Sequence, residues 1–333
     1  MSLPEFKLLR PRTLAAAIDL LGKHVDAQIV AGGTDLIPSL KQRLFTPAYV
    51  VDIRCITELR GIRKIPGQGT DIGALTSLTE IENSEQIYRD YSVLHEAAKT
   101  VASPILRNMG TLGGNICLDT RCLWYNQSLT WRTSCGFCIK KDGDLCHVAP
   151  GGSKCWAVFS GDTPPALLCL DAELEIAGPA GTRRVALRDF YTNVGDARMR
   201  LAKNEIVTRI SLPERTAGYR GVYRKLRLRG SIDYPLAGVA VALKRSNGHV
   251  EDVRVAITAV NPAPLVVLGV EKELVGKPVS EETAAAVGER VARTAKPLTT
   301  SALTPEYRRE MVRVFAKRAV LEAGREWPVE SGR

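Results

Sequence analysis

The stretch AGGTDL (residues 31–36) directly follows an apolar segment, and the stretch TLGGN (111–115) repeats its pair of adjacent glycines. Glycines at such a turn allow successive backbone N–H groups to converge on an anion, and the threonine of each stretch can add a hydroxyl. Neither stretch matches G-x-G-x-x-G, and no G-K-[ST] follows to make a P-loop. The first stretch therefore has the outline of a pyrophosphate cradle and the second repeats its elements, while a pair of ordinary tight turns remains the alternative.

The sequence around the first glycine stretch alternates between helical and extended patterns. Ser77 and the carboxylates after it are typical of a helix start, and we expect Pro104 to end the preceding helix. The segment 106–119 is rich in turn residues. We predict strands at 26–31, 48–53 and 71–76, and helices at 13–24, 77–84 and 92–102.

A second apolar pattern occupies the C-terminal half of the chain. The composition turns polar and contains glycine at 214–221, which predicts a domain boundary. A short helix and a strand are also predicted within 164–178, and this mixture of helices and strands indicates an α+β protein. Beyond the boundary we predict strands at 221–229, 236–245 and 252–260, and helices at 281–295 and 306–324.

Six of the eight cysteines lie in one segment that has no helical or extended period, which is typical of a functional loop. Four thiolates can hold a 4Fe-4S cluster or a structural zinc ion, and the spacing alone does not choose between them. A zinc ribbon usually has two C-x-x-C pairs, and only Cys135 and Cys138 form one here. We expect the other two cysteines, Cys55 and Cys169, to be buried thiols. The six are Cys117, Cys122, Cys135, Cys138, Cys146 and Cys155.

The charge of the chain limits the classes of partner. It has 46 Lys and Arg against 36 Asp and Glu, a formal charge of +10 that is dispersed along the 333 residues. Dispersed basic residues suit an acidic protein or an anionic cofactor as well as a phosphate backbone, and without a basic tract they give little support for nucleic-acid binding. No secretory leader is visible, and no apolar run reaches the roughly 18 residues of a membrane helix. We therefore expect a cytoplasmic protein without nucleic-acid or membrane contacts.

Taken together, these motifs resemble the FAD subunits of the xanthine dehydrogenase and carbon monoxide dehydrogenase family over nearly the whole chain. Further matches are Asp162 in GDTPPALLCLDA (161–172) and Lys225 in YRKLRLRGSIDYPLAGVAVAL (223–243). The resemblance implies a two-part FAD-binding domain of the PCMH or vanillyl-alcohol-oxidase-like type at 1–217. It further implies a smaller α+β C-terminal domain of the CO dehydrogenase flavoprotein type at 218–325, followed by a tail at 326–333.

The same resemblance implies which residues contact FAD. It places Lys225 near the isoalloxazine, where a positive charge would stabilise the reduced flavin, and it implies no catalytic residue for an organic substrate in this chain. The implied FAD contacts are Ile29, Val30, Ala31, Gly32, Gly33, Thr34, Asp35, Leu36, Ala102, Thr111, Leu112, Gly113, Gly114, Asn115, Asp162 and Lys225.

The cysteine segment, as an insertion at 117–157, resembles one branch of the family, the beta subunits of 4-hydroxybenzoyl-CoA reductases. The matching strings are DTRCLWYNQS (119–128), Cys138, KKDGDLCHV (140–148) and SKCWA (153–157). This resemblance implies a 4Fe-4S cluster with Cys117 and Cys135 as bystanders, although Cys135 is an alternative to Cys138. The implied ligands are Cys122, Cys138, Cys146 and Cys155.

The resemblance also implies a reaction and an assembly. Electrons would pass from ferredoxin through the 4Fe-4S cluster and FAD to a 2Fe-2S subunit and a molybdenum-cofactor subunit, for reductive dehydroxylation in a dimer of heterotrimers. One alternative is an oxidative molybdenum hydroxylase that acts on xanthine, an aldehyde or an aromatic substrate. Another is a zinc-stabilised scaffold whose glycine motifs are only turns.

Overall fold

The computed structural model describes residues 2–325, so the predicted tail at 326–333 lies outside the described residues. Within this range the strands form three sheets. The strands are β1 (Lys7–Leu9), β2 (Gln28–Val30), β3 (Tyr49–Asp52), β4 (Ile62–Ile65), β5 (Gly69–Gly73), β6 (Glu173–Gly178), β7 (Gly181–Ala186), β8 (Ile206–Pro213), β9 (Arg220–Leu226), β10 (Ala237–Ser246), β11 (His249–Thr258) and β12 (Leu265–Val266). The helices are α1 (Leu14–Lys23), α2 (Leu36–Lys41), α3 (Leu78–Glu82), α4 (Glu85–Asp90), α5 (Ser92–Lys99), α6 (Pro104–Met109), α7 (Leu112–Ile116), α8 (Leu129–Ser134), α9 (Thr163–Cys169), α10 (Leu187–Phe190), α11 (Glu271–Leu274), α12 (Glu281–Thr294) and α13 (Pro305–Ala323).

The first sheet is small and parallel, with the strand order β1-β3-β2. Helix α1 buries Ala17 and Leu21, and the Thr13 hydroxyl accepts from the Ala16 N–H at its start. Val30 pairs with Asp52, so β2 and β3 end at the same edge of the sheet. The first glycine stretch leaves the sheet at this edge.

The second sheet has five antiparallel strands in the order β4-β5-β8-β6-β7. Its apolar residues share one core with α3, α5, α7 and α9, including Leu94, Ile116, Leu167, Leu174 and Ile210, none of which is exposed. Burying one such side chain stabilises the fold by about 1.5–3 kcal/mol. This core fixes α7, and with it the second glycine stretch, against the sheet.

The third sheet, β12-β11-β10-β9, belongs to the C-terminal part and is also antiparallel. Strand β10 is buried on both faces. Val239 and Val241 join the core formed with α12 and α13, whereas Ala240 and Ala242 join the core that contains α9. The architecture confirms the predicted α+β fold, and β10 ties the C-terminal part to the rest of the chain.

Several local expectations are wrong. Helix α5 ends at Lys99, before the predicted 102, and Ala102 adopts a left-handed φ of 43°. Pro104 does not end this helix but begins α6, where its missing N–H costs nothing. Residues 106–119, expected as turns, include α7. The cysteine segment contains α8, which begins after the capping hydroxyl of Ser128.

One predicted cysteine environment is also wrong. Cys55 is exposed, because it follows the edge of the parallel sheet rather than entering a core. Cys169 is buried as expected, at the end of α9. Apolar neighbours in the sequence therefore predicted burial correctly for Cys169, because all of α9 is buried, but not for Cys55.

Candidate functional site

The first glycine stretch, residues 31–36, forms the turn from β2 into α2. Among the described residues, the backbone N–H groups of 32–36 have no protein acceptor. The next N–H group along the chain, that of Ile37, donates to the Gly33 carbonyl at 3.0 Å. Gly33 has a φ of 76°, and a Cβ on Gly32 would lie 1.7 Å from the Met109 carbonyl oxygen. The turn therefore needs both glycines, and it presents consecutive unpaired donors suited to an anion.

The second glycine stretch, residues 111–115, uses its donors inside the protein. The Leu112 N–H donates to the Thr76 carbonyl at 3.0 Å, and the Gly113 N–H donates to the Ala74 carbonyl at 2.9 Å. The Thr111 hydroxyl accepts from the Gly114 N–H at 3.1 Å and caps α7. Because a Cβ on Gly113 would lie 2.8 Å from the Ala74 Cβ, this glycine permits close packing.

Asn115, the last residue of the second stretch, is anchored by α9. Its Oδ1 accepts from the Thr163 N–H at 3.0 Å and from the Thr163 hydroxyl at 2.7 Å. The first glycine stretch also lies against the backbone just before the second, since a Cβ on Gly32 would lie 3.1 Å from the Gly110 nitrogen. The structure thus brings together the residues that the sequence placed far apart.

Asp35 contacts two polar side chains, Tyr234 and Arg121, which the sequence did not indicate as its partners. The Tyr234 hydroxyl donates to Asp35 Oδ1 at 2.7 Å, and Arg121 Nη1 lies 3.3 Å from the same oxygen. The Arg121 guanidinium lies 3.8 Å from the centre of the Tyr234 ring. Burial raises the pKa of Asp35, and the charge of Arg121 opposes that rise. The contact joins the glycine turn, the cysteine segment and the C-terminal part.

Asp162 and Lys225, both predicted FAD contacts, form a buried ion pair. Lys225 Nζ lies 3.0 Å from Asp162 Oδ2 and donates to the Thr100 carbonyl, also at 3.0 Å. The Tyr223 hydroxyl donates to the other Asp162 oxygen at 2.9 Å. Burial raises the pKa of Asp162, against the opposing charge of Lys225. The positive charge of Lys225 is therefore balanced locally by a carboxylate.

Ala102, another predicted FAD contact, supports a loop of the C-terminal part. Its carbonyl accepts from the Ile232 N–H at 2.9 Å and from the Ser231 hydroxyl at 3.1 Å. Both Ala102 and Ile232 have left-handed φ values, of 43° and 58°. A β-branched residue rarely adopts this conformation, so the contact holds a strained loop beside Tyr234.

The four predicted cysteine ligands line one cavity. Cys117 and Cys135 lie outside it in the described chain. The space that the lining side chains enclose is small, about 10 Å³. Its lining consists of Cys122, Cys138, Cys146, Cys155, Trp124, Tyr125, Ile139, Lys140, His147, Val148, Trp156 and Ala157.

Apart from Lys140 and His147, the side chains around the thiols are apolar or aromatic. The Trp124 and His147 rings stack at 4.4 Å, which makes His147 a part of the cavity wall. Burial raises the pKa of the Cys122 thiol to about 12 and that of the Cys155 thiol to about 11. A bound metal would be needed to stabilise the thiolates. No three His, Cys, Asp or Glu side chains in residues 2–325 are grouped as ligands of a single metal ion.

The cysteine segment is held by three separate parts of the fold. Arg121 and Val158 exchange backbone hydrogen bonds at its base, and the Leu123 N–H donates to the Thr300 carbonyl at 2.8 Å. The guanidinium of Arg132, which is buried, donates to the Arg43 carbonyl at 2.8 Å, just after α2. The segment therefore packs between the end of α2 and the C-terminal part.

None of the described helices is long and apolar enough to span a bilayer.

Comparison with known proteins covers almost the whole chain. Residues 4–215 match the family described as the FAD binding domain in molybdopterin dehydrogenase, and residues 221–323 match the CO dehydrogenase flavoprotein C-terminal domain. The glyceraldehyde dehydrogenase medium chain of Sulfolobus acidocaldarius is 29% identical over 96% of this chain and 98% of its own length. The carbon monoxide dehydrogenase medium chain of Afipia carboxidovorans is 32% identical over 96% of each chain.

Solved structures agree with these matches. A chain of reconstituted CO dehydrogenase from Oligotropha carboxidovorans has a TM-score of 0.80 at 29% identity, over 97% of this chain and 99% of that chain. A chain of quinoline 2-oxidoreductase from Pseudomonas putida 86 has a TM-score of 0.78 at 25% identity, over 97% and 98% of the two chains.

Proposed function

The chain belongs to the FAD-binding subunits of the molybdopterin dehydrogenase family, and from this premise we propose that it carries a second redox centre, a 4Fe-4S cluster bound by residues 117–157. The observation that supports the cluster is that four thiols, scattered along this segment, line one cavity. Four cysteine thiolates are the usual ligands of such a cluster. The donor set therefore fits, and the aromatic lining limits access of water.

FAD would bind at the turn after β2. We assign its pyrophosphate to the unpaired N–H groups of residues 32–36, with Thr34 adding a hydroxyl. The second glycine stretch would form a wall of this site and offer Asn115, because its own N–H groups from 112 to 115 are engaged. FAD mediates between one-electron and two-electron carriers. The chain supplies the binding site and the charges around it.

Three residues outside the glycine stretches would also contact FAD. Ala102, Asp162 and Lys225 were predicted to contact FAD, and the buried pair of Asp162 with Lys225 is the charged part of this set. Because the pair is nearly neutral, we expect it to orient the flavin more than to raise its potential.

We propose that the complex performs an oxidative reaction, with the substrate bound on a partner subunit. The similar chains are subunits of dehydrogenases for glyceraldehyde, carbon monoxide and xanthine. In this assignment a molybdenum-cofactor subunit oxidises the substrate by two electrons, a 2Fe-2S subunit relays them, and this chain passes them to an acceptor. A dimer of heterotrimers is the expected assembly.

A second candidate, the 4-hydroxybenzoyl-CoA reductase type, is favoured by the cysteine cavity. An additional cluster on the flavin subunit offers a route for single electrons from ferredoxin inward to FAD. The surplus of ten positive charges on the chain suits an acidic carrier. The two candidates differ in the direction of electron flow, so reduced ferredoxin and a reducing substrate distinguish them in stopped-flow measurements of flavin absorbance.

The metal content of the anaerobically purified complex tests the cluster. We expect about four iron and four acid-labile sulfide per FAD beyond those of the 2Fe-2S subunit. Cys122→Ser should lose this iron and keep FAD, whereas Cys55→Ser, on the exposed cysteine outside the segment, should keep both. Zinc in place of iron would refute the cluster and leave a structural metal site. Comparing Cys135→Ser with Cys138→Ser decides which of these two is the ligand.

A further inference from the structure

Lys140 lies in the wall of the cysteine cavity, and its ammonium group is buried. Its Nζ lies 2.9 Å from Asp119 Oδ1, 2.6 Å from the Thr120 hydroxyl and 2.9 Å from the Gly195 carbonyl. The side chain is 5% exposed and that of Asp119 is 9% exposed. A lysine bound at three points in the interior is held in one place, unlike a lysine on the surface.

The charges around Lys140 do not cancel. Arg198 Nη1 lies 3.4 Å from the same oxygen of Asp119, so two cations share one buried carboxylate. Asp196 is the other acidic group near Cys155, and it is exposed, so solvent and salt screen its charge. A buried positive charge that Asp119 does not fully balance therefore remains beside Cys155.

Gly195 connects this cation to one of the thiols. Its carbonyl accepts from Lys140, and its N–H donates to the Cys155 carbonyl at 2.9 Å. A Cβ on Gly195 would lie 2.7 Å from Cys155 Sγ. The loop that contains Gly195 thus contacts the Cys155 side of the cavity, and Lys140 ties the cysteine segment to this loop.

We propose that Lys140 is a positioning residue that holds the Cys155 side of the cavity and supplies the buried positive charge that raises the reduction potential of the cluster. This inference rests on the proposed 4Fe-4S cluster. Reduction adds one electron to the cluster and moves no proton, so the negative charge of the site increases by one. A buried cation stabilises the reduced form, because the low dielectric of the interior screens it little. A neutral side chain could keep the hydrogen bonds but not this effect.

The test is a potentiometric titration of the whole complex, with the cluster followed by EPR and FAD by absorbance in the same sample. Lys140→Gln should lower the potential of the cluster, and Lys140→Arg should leave it close to that of the wild type. Asp119→Asn, which removes the compensating carboxylate, should shift it upward. The FAD potential serves as the internal reference and should stay in place in all three variants.

Each outcome has a defined meaning. If Lys140→Gln loses iron while Lys140→Arg retains it, the cation is required to hold the cluster, which supports the proposal. A full cluster with an unchanged potential in Lys140→Gln would overturn it, as would equal loss of iron in both lysine variants, because Lys140 would then act by packing alone. A wild-type complex without the additional iron would instead refute the proposed function.

Discussion

The two glycine stretches look alike in the sequence, yet the fold uses them in opposite ways. The N–H groups of residues 32–36 have no protein acceptor in the described chain, whereas those of residues 112–115 donate to Ala74, Thr76 and Thr111. The first stretch thus keeps its donors available for a ligand, and the second uses its donors in packing. The comparison teaches that a glycine motif becomes a binding site only where the surrounding backbone leaves its donors free.

The largest expected effect comes from Gly32→Ala. The new Cβ would lie 1.7 Å from the Met109 carbonyl oxygen, which is backbone and cannot move aside cheaply. We expect loss of FAD and a fall in the free energy of unfolding of several kcal/mol, as for other overpacked sites. Flavin content and urea unfolding measure both effects.

Gly22→Ala is the matched control, because Gly22 lies in α1 with nothing within 4 Å of its added Cβ. It should keep FAD and gain about 0.5–1 kcal/mol of stability, since alanine favours a helix over glycine. Equal behaviour of the two variants would show that the contact of Gly32 with Met109 does not shape the site.

A smaller effect, which tests the difference between the two glycine stretches more directly, is expected from substituting Thr34 and Thr111. Thr111→Val removes the hydroxyl that accepts from the Gly114 N–H, so the apo-protein should lose about 1 kcal/mol of stability. Thr34→Val removes a hydroxyl that makes no hydrogen bond within the described chain, so it should weaken FAD binding and leave the stability of the apo-protein unchanged. Urea unfolding without FAD, together with flavin titration, separates the two. If Thr111→Val weakens FAD binding without destabilising the apo-protein, the second stretch does not act by packing and the contrast between the two stretches is wrong.

The smallest effect concerns the pH dependence of Asp35. Because burial raises its pKa in the fold, Asp35 adds stability below its unfolded pKa and loses it as the pH rises through its folded pKa. The Tyr234 hydroxyl favours the ionised carboxylate and opposes this loss. Tyr234→Phe should therefore destabilise the apo-protein by about 0.5 kcal/mol at neutral pH and by less as the pH falls.

Urea unfolding of both proteins from pH 4 to pH 8 measures this difference. A penalty that is the same at every pH would mean that Tyr234 acts by packing and not through the carboxylate. A penalty that grows toward acidic pH would contradict the assigned direction.

Much of the fold was predictable, because helices and strands depend on periodicities within short segments. The helices at 281–294 and 305–323 and the three long C-terminal strands lie within a few residues of their predicted bounds. The prediction failed at the end of α5, which stops at Lys99, and the left-handed Ala102 could not have continued the helix to 102. It failed also at Cys55, since exposure depends on what covers an element, and the covering residues are distant in the sequence.

The residues of the candidate site were likewise predictable only where they form a local motif in the sequence. The glycine pairs and the four matched cysteines were visible as local motifs, and the structure gathers these cysteines in one cavity. The partners Arg121, Tyr234 and Lys140 were not found, because a single polar residue in an irregular segment carries no periodic or spacing signal. Their significance comes from contacts with Asp35 and Asp119.

The sequence by itself determined the α+β class, the resemblance to a flavin subunit family and the set of thiols that could bind a cluster, because these depend on residue type and spacing. Only the tertiary structure decided which glycine stretch keeps free donors, that Lys225 is paired with Asp162, and that a buried lysine faces the thiols. The physical reason is that hydrogen-bond pairing and local charge balance depend on neighbours that the chain brings together over long distances in the sequence.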